Sequence, residues 1–182
     1  LVMTGGISAF HNQSKSRNKM KIKNLIVAFA LILSATLVAQ TKLPNASLKD
    51  INGKTVNISK YNSSEKPVII SLWAAWCGPC IKELKAIHEV YAKWQREFGV
   101  ELVAVSIDDA KTKNRVKPQV NGSGWKYTIL LDENHDLKRA LNVTNVPYTL
   151  IMYKGKVMFK HSNYTPGIET KIYEELKSLV KK

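Results

Sequence analysis

Two cysteines, Cys77 and Cys80, stand three residues apart and are the only cysteines of the chain. Such a pair can form a structural cross-link, contribute to a metal site or act as a redox couple. A cross-link stabilises a fold more when it closes a longer loop, so this one would stabilise very little. A structural zinc site needs four ligands, but there is no second cysteine pair, and His88, His135 and His161 show no paired spacing. The spacing therefore favours a redox couple.

The residues around the cysteines predict a strand that runs directly into a helix. Residues 67–73, PVIISLW, form an apolar, β-branched run typical of a strand buried on both faces. From Cys77 onward, apolar side chains recur at steps of three and four until Gly99, as on an amphipathic helix that ends at a glycine. The sulfur of Cys77 would lie at the helix N-terminus, where unpaired N–H groups and the helix dipole stabilise a thiolate. Cys80 would lie one turn later, more buried and able to attack a mixed disulfide.

The two residues between the cysteines suit this junction. Gly78 has no side chain, so the backbone can pass close to a partner molecule. Pro79 lacks a backbone N–H at a position where the first turn of a helix would leave that group unpaired. Both residues are compatible with a nucleophilic sulfur at one end of a helix.

The rest of the chain alternates strand patterns with helix patterns, which predicts an α/β fold with helices on both faces of a sheet. Residues 46–58 read as two short strands around Asn52-Gly53, a hairpin signal. The further predicted elements are a strand over 100–107, a helix broken near Pro118, a strand over 127–131, a short helix near 133–141, a hairpin over 148–161 and a helix over about 168–181.

The composition is that of a globular domain, with 45% hydrophobic and 23% charged residues. The net charge of +14 suggests nucleic acid or an acidic membrane surface as a partner. Five of the 28 basic residues lie before residue 24, however, and setting them aside leaves 23 basic against 14 acidic residues, a charge of +9. The remaining lysines are scattered without an aromatic-interleaved patch, so we predict no nucleic-acid partner.

The N-terminal segment differs from the rest of the chain. Residues 1–19 are polar and without period, and we interpret them as an upstream artefact or a disordered leader. Residues 20–39 begin with basic MKIKN and continue with about fifteen mostly apolar residues, the layout of a secretory signal peptide. An uncleaved membrane anchor over 25–39 is the alternative, although a spanning helix needs roughly 20 apolar residues. We predict an exported domain over 40–182.

The segment WAAWCGPC, after an apolar strand and before a helix, resembles the active-site signature of the thioredoxin superfamily. The resemblance runs from about residue 43 to the end, and it is closest to the exported TlpA/ResA-type disulfide reductases, whose N-terminal half is AhpC/TSA-like. It implies a thioredoxin-like fold with a central mixed β-sheet and an N-terminal β-hairpin extension. It also implies a redox-active disulfide without another cofactor, disulfide-containing client proteins, a membrane thiol-electron donor and a place in the bacterial periplasm.

Further residues match this family. Val146-Pro147 resembles the superfamily's cis-proline, which faces the cysteine pair and whose neighbours' backbone pairs with substrate. Glu83 matches an acid of similar exported reductases, and it is either a proton acceptor for the second cysteine or a solvated helix acid. The resemblance thus implies the catalytic residues Cys77, Cys80 and Glu83, the substrate-binding residues Trp76, Gly78, Pro79, Val146 and Pro147, and no metal ligand.

The chain departs from thioredoxin at the position of its buried acid, and two rival functions compete with disulfide exchange. Thioredoxin has a buried acid six residues before its first cysteine, whereas Ser71 stands here, so the proton of Cys80 must go to water, Glu83 or another group. A peroxiredoxin-type peroxidase is disfavoured, because Ala74 and Ile70 replace the Thr and Pro of its motif. A non-catalytic binding module is disfavoured because both cysteines are kept.

Three acids, Asp108, Asp109 and Asp132, follow predicted strands. The ordinary role of an aspartate at such a position is to accept hydrogen bonds from the first turn of a helix. We therefore predict that these three residues cap helices.

Overall fold

A computed structural model describes residues 42–181, so the predicted leader (1–19) and signal peptide (20–39) lie outside the described residues. Within that range, no helix has the length and apolar character needed to cross a bilayer. The elements are β1 (Ser47–Asp50), β2 (Thr55–Asn57), a 3₁₀ helix (Ile58–Ser63), β3 (Val68–Trp73), α1 (Gly78–Phe98), β4 (Glu101–Ser106), a second 3₁₀ helix (Lys113–Arg115), α2 (Val116–Gly122), β5 (Thr128–Leu131), α3 (Asp136–Ala140), β6 (Tyr148–Tyr153), β7 (Lys156–Ser162) and α4 (Ile168–Val180).

The strands form one mixed sheet in the order β2-β1-β5-β4-β3-β6-β7. The neighbours β3, β4 and β5 are parallel, and each connection between them contains a helix, as parallel strands require. β1 pairs antiparallel with β5, and β6 pairs antiparallel with β3. The hairpins β1–β2 and β6–β7 therefore form the two edges, and the predicted α/β fold with an N-terminal hairpin is confirmed.

The centre of the sheet is covered on both faces. All six residues of β3 are buried, and successive side chains of a strand point to opposite faces. This two-sided burial explains the unbroken apolar run of residues 67–73. The run has one polar member, Ser71, whose register partner on β6 is Thr149, and both are at most 1% exposed. A buried pair of hydroxyl groups thus interrupts an apolar core.

Helix α1 packs its apolar stripe on the sheet and ends where the sequence predicts. Leu84, Ile87 and Trp94 are at most 1% exposed, in agreement with the three- and four-residue spacing. Gly99 follows the helix with φ 64°, a left-handed conformation that costs glycine no side-chain clash. This helix is long enough to carry the cysteines at one end and contact α4 at the other.

The β6–β7 hairpin turns through Lys154 and Gly155, which both have positive φ. Two such residues are typical of the type I′ turn that suits the twist of paired strands. A Cβ atom on Gly155 would lie 2.6 Å from the carbonyl oxygen of Asn62 in the first 3₁₀ helix. The hairpin therefore packs directly against the backbone of an earlier segment.

The segment between β4 and β5 differs from the prediction of a helix broken near Pro118. Instead, the 3₁₀ helix Lys113–Arg115 leads into α2, and Pro118 is the third residue of α2. The first N–H groups of a helix have no intrahelical acceptor, so a proline in the first turn removes no helical hydrogen bond. The helix begins just before the proline and continues past it.

Candidate active site

The two cysteines lie where β3 leads into α1. Cys77 is the N-cap residue of α1, with φ −93° and ψ 96°, and Cys80 is in the first turn. Their sulfur atoms are bonded at 2.07 Å, with the Cα atoms 5.3 Å apart. Cys77 is 6% exposed and Cys80 is fully buried. The sulfur of Cys77 is therefore the nearer of the two to solvent, in agreement with the sequence prediction.

The first turn of α1 directs a hydrogen-bond donor at the sulfur of Cys77. The backbone N–H of Cys80 donates to Sγ of Cys77 over 3.2 Å, as an N–H normally donates to an N-cap oxygen. Pro79, which lies between them, has no N–H that would be left unpaired. The donor and the positive end of the helix dipole both stabilise negative charge on this sulfur. Cys77 is thus placed to react as a thiolate once the disulfide is reduced.

A cis peptide bond lies beside this sulfur. Val146-Pro147 is cis, as the family resemblance implies. The carbonyl oxygen of Val146 is 3.8 Å from Sγ of Cys77, and Asn163 donates its N–H to the carbonyl of Pro147 over 2.9 Å. Val146 is half-buried and Pro147 is buried. Any group bound to Cys77 would therefore lie next to the backbone at this bond.

Three residues around the sulfur face solvent. Trp76 is 55% exposed, and Gly78 and Pro79 are also exposed. An added Cβ on Gly78 would meet no atom within 4 Å, which shows open space at this position. Trp73, four residues before Cys77, is fully buried in the core. The site thus has an exposed apolar ring beside a sulfur that is itself mostly covered.

Asp108 anchors the loop that leads to Cys77. Its carboxylate accepts hydrogen bonds from the N–H of Ala75 and from the hydroxyl of Ser106, each over 2.7 Å, and the residue is fully buried. The prediction that Asp108 caps a helix is wrong, because its donor belongs to the loop after β3. Asp132, by contrast, accepts from two N–H groups of α3 as predicted. A fixed carboxylate therefore holds the backbone two residues before Cys77.

Glu83 is buried, with an exposure of 1%, so the interpretation of it as a solvated helix acid is wrong. It lies three residues after Cys80 on the same buried side of α1, where Cβ atoms are about 5–6 Å apart. Burial raises the pKa of Glu83, while hydrogen bonds from Thr149 and Ser71 oppose that rise. A carboxyl group whose proton affinity is raised thus lies three residues after the buried cysteine on the same helix.

Thr149 is a site residue that the sequence reasoning missed. Its Oγ1 lies 2.6 Å from Oε1 of Glu83 and 3.0 Å from Oγ of Ser71. The available signal was a polar residue at an interior position of the apolar strand YTLIMY, since a buried hydroxyl needs a partner. Three elements, β3, β6 and α1, thus meet at one carboxyl group.

A cysteine pair at bonding distance can take up and release two electrons without an added cofactor. Among residues 42–181, no three His, Cys, Asp or Glu side chains come together in a way that would hold a metal ion. The chemistry that this geometry supports is therefore thiol–disulfide exchange.

Residues 39–162 match the AhpC/TSA family. The thiol-disulfide oxidoreductase ResA of Bacillus thuringiensis is 31% identical over 140 residues, which cover 76% of this chain and 75% of ResA. An uncharacterized thioredoxin-like protein of Porphyromonas gingivalis is 49% identical, with a TM-score of 0.69 over 79% of this chain and 93% of that one. StoA of Bacillus subtilis, at 20% identity and TM-score 0.58, covers 73% of this chain and 98% of its own, and shows a shared fold.

These relatives agree with the chemistry of the site. The family match covers more than half of the chain, and its residues 39–162 include all seven strands of the sheet and the helix that carries the cysteines. The chain therefore belongs to the AhpC/TSA family and is a thiol-disulfide oxidoreductase of the TlpA/ResA type within the thioredoxin superfamily.

Proposed function

We propose that this oxidoreductase reduces protein disulfides, with Cys77 as the nucleophile, Cys80 as the resolving cysteine and Glu83 as the proton acceptor. The observation that carries the proposal is the unequal setting of the two sulfurs. The N–H of Cys80 points at the sulfur of Cys77, which is the more exposed, while Cys80 is fully buried and is followed three residues later by a buried acid. A stabilised thiolate suits attack, and a protected thiol suits the second step.

The reaction proceeds in two exchanges. In the reduced enzyme, the thiolate of Cys77 attacks a client disulfide, one client sulfur leaves as a thiolate, and a mixed disulfide forms. Cys80 then gives its proton to Glu83, and its sulfur attacks Sγ of Cys77. The second client sulfur leaves as a thiolate and is protonated by water. Two electrons have passed from the enzyme to the client, and the Cys77–Cys80 disulfide seen in the structure is the product.

The surface around Cys77 supports a role in client binding. Trp76, Gly78 and Pro79 are exposed beside the sulfur, and a large aromatic ring gains free energy when a partner covers it. The Val146 carbonyl next to cis-Pro147 is an acceptor for a backbone N–H of a client held in a mixed disulfide. Together these five residues form the proposed binding surface, with apolar contact on one side and backbone pairing on the other.

The direction and place of the reaction are part of the proposal. The Gly-Pro dipeptide between the cysteines is that of thioredoxin, a reductant with a potential of about −270 mV. A reductant outside the cytoplasm must be reduced again after each cycle, which calls for a membrane thiol-electron donor. The signal-like layout of residues 20–39 supports export to the periplasm, either as a released domain or with 25–39 as an anchor.

Reduction of insulin disulfides tests the assignment of the two sulfurs. Cys77→Ser is expected to abolish activity, because the remaining thiol is buried and lacks the helix N-cap position. Cys80→Ser should also lose turnover, but it should accumulate a stable mixed disulfide through Cys77, which mass spectrometry of the trapped complexes detects. Retention of insulin reduction by Cys77→Ser, with the fold intact by circular dichroism, would contradict the proposal.

A further inference from the structure

Two hydroxyl groups lie beneath the acid that receives the proton in the proposed mechanism. Ser71 on β3 and Thr149 on β6 are register partners at the centre of the sheet, and both are at most 1% exposed. A buried hydroxyl group nearly always has a hydrogen-bond partner, because leaving it unpaired lowers the free energy of unfolding. Here Thr149 is hydrogen-bonded to the carboxyl group of Glu83, and Ser71 is hydrogen-bonded to Thr149.

The chemistry of the three groups fixes the direction of the hydrogen bonds. An ionised carboxylate only accepts, so Thr149 donates its one hydroxyl hydrogen to Oε1 of Glu83 over 2.6 Å. The Thr149 oxygen can then accept the hydroxyl hydrogen of Ser71 over 3.0 Å. The two hydroxyls thus form a chain that ends on one carboxylate oxygen. The other oxygen, Oε2, is buried and has no hydrogen-bond partner among the described residues.

These bonds oppose the effect of burial on the same carboxyl group. Burial raises the pKa of Glu83, and the Thr149 and Ser71 hydroxyls lower it. On β7, the register partner of Thr149 is the titratable residue His161. Where α4 packs on α1, Nζ of Lys93 lies over the ring of Tyr173, in the C-terminal half of α1 and not in the turns that carry Glu83. The proton affinity of Glu83 is set by burial and two hydroxyls, with no charged neighbour as a cause.

We infer that Thr149, supported by Ser71, is a positioning residue that stabilises the carboxylate form of Glu83 against the effect of burial and orients it so that Oε2 takes the proton of Cys80. This inference rests on the proposed role of Glu83. In the resolving step, the proton passes from Sγ of Cys80 to Oε2, and the electron pair left on that sulfur forms the bond to Sγ of Cys77. The hydroxyl chain transfers no proton; it stabilises the acceptor before the step.

A chromogenic aromatic disulfide separates the two exchanges in stopped-flow measurements with the reduced protein. Attack by Cys77 releases one coloured thiolate, and resolution by Cys80 releases the second. The pH dependence of the second phase reports the coupled ionisation of Glu83 and Cys80. The first phase serves as an internal control, because it involves neither Glu83 nor its hydroxyl partners.

Thr149→Val keeps the shape of the side chain and removes the donor. Without the hydrogen bond, ionisation of Glu83 becomes harder, so the midpoint of the second phase should move to higher pH by about one unit, which is about tenfold in rate below the midpoint. Thr149→Ser restores the hydroxyl and should return the midpoint to the wild-type value. Ser71→Ala should shift it in the same direction by a smaller amount, because Ser71 acts through Thr149.

Double substitution distinguishes positioning from a packing defect. Glu83→Gln should slow the second phase and leave the first unchanged, and adding Thr149→Val to it should produce no further shift. An unchanged midpoint in Thr149→Val, while Glu83→Gln is slow, would overturn this inference and leave the proposed function standing. A second phase in Glu83→Gln that equals that of the wild type would overturn both the role of Glu83 and this inference, but not thiol–disulfide exchange by the two cysteines.

His161→Gln is the control for the histidine on the neighbouring strand, and it should leave the midpoint of the second phase unchanged. A shift as large as that of Thr149→Val would assign the pH dependence to His161 instead.

Discussion

At the scale of single residues, the proposed proton acceptor lies on a different element from the buried acid of thioredoxin. The strand position that carries an acid in thioredoxin holds Ser71 here, and the carboxyl group is supplied by Glu83 on the facing helix. Ser71 and Glu83 reach the same point through the hydroxyl of Thr149. The acid is thus retained inside the core although its place in the sequence has changed, and its burial links the chemistry to stability.

Glu83→Gln is expected to change how the stability of the protein depends on pH. Because burial raises the pKa of Glu83, the folded state binds this proton more tightly than the unfolded chain. Its contribution to stability is fully present below the unfolded pKa of about 4.3 and is lost as pH rises through the higher folded pKa. Relative to Glu83→Gln, the free energy of unfolding of the wild type in urea should therefore fall as pH rises above about 4.

The matched control is Glu89→Gln, an exposed acid on the same helix. Urea unfolding at several pH values should give parallel curves for this variant and the wild type, because an exposed carboxylate keeps its water. Parallel curves for Glu83→Gln as well would show that Glu83 ionises without the cost of burial.

The candidate site residues could be predicted from the sequence only where they lie a few positions apart in the chain. Cys77, Cys80 and Glu83 lie on one helix, so their relation follows from helix geometry. Thr149 and Asp108 reach the site through strand pairing and loop packing, which the order of residues does not reveal. A polar residue inside an apolar strand was the local signal for Thr149, whereas Asp108 follows a strand, and helix capping was the wrong interpretation of it.

At the scale of elements, the site depends on how the β6–β7 hairpin meets the rest of the fold. Strand β6 carries Thr149 and follows the cis bond at Pro147, so its placement sets both the acid's partner and the proposed client-binding backbone. The turn of the hairpin packs on the first 3₁₀ helix, where Gly155 approaches the carbonyl of Asn62. The hairpin pattern was predictable from alternation and turn residues, but this contact was not.

Gly155→Ala is expected to destabilise the fold more than Gly53→Ala. Both glycines have positive φ, which costs an alanine about 1–2 kcal/mol. An added Cβ meets nothing within 4 Å at Gly53, whereas at Gly155 it lies 2.6 Å from a backbone oxygen. Relieving that overlap should cost about 1–3 kcal/mol more. Equilibrium urea unfolding measures both variants, and equal losses would show that the hairpin moves away without cost.

At the scale of the whole molecule, the sheet places the cysteine pair just beyond the end of β3, an interior strand. β3 is flanked by β4 and β6, and the loop after β3 is held by Asp108, which follows β4. Alternation of strand and helix patterns was sufficient to predict the α/β class. The strand order was not predictable from the pattern alone, because pairing is decided by tertiary packing. The reduction potential is a property of this assembled environment.

The potential of the pair tests the direction of electron flow. The Gly-Pro dipeptide and the single donor to Cys77 predict a value nearer to thioredoxin, about −270 mV, than to DsbA, about −120 mV. Equilibration with glutathione buffers, followed by thiol alkylation and mass measurement, gives the oxidised fraction, and the doubly substituted Cys77→Ser/Cys80→Ser chain supplies the baseline. A potential near −120 mV would identify an oxidant and contradict the reductase proposal.

The position of three reactive groups on α1 has a consequence for protein engineering. The proposed nucleophile Cys77 caps α1, and the proposed resolving thiol Cys80 and proton acceptor Glu83 lie in its first two turns, so one helix fixes the distances among the three. What a recipient scaffold must provide is a strand threonine facing the acid and a carboxylate that anchors the incoming loop. A helix transplanted without these two supports would carry the same reactive atoms, but it would lack the contacts that set the proton affinity of the acid and the position of the loop before Cys77.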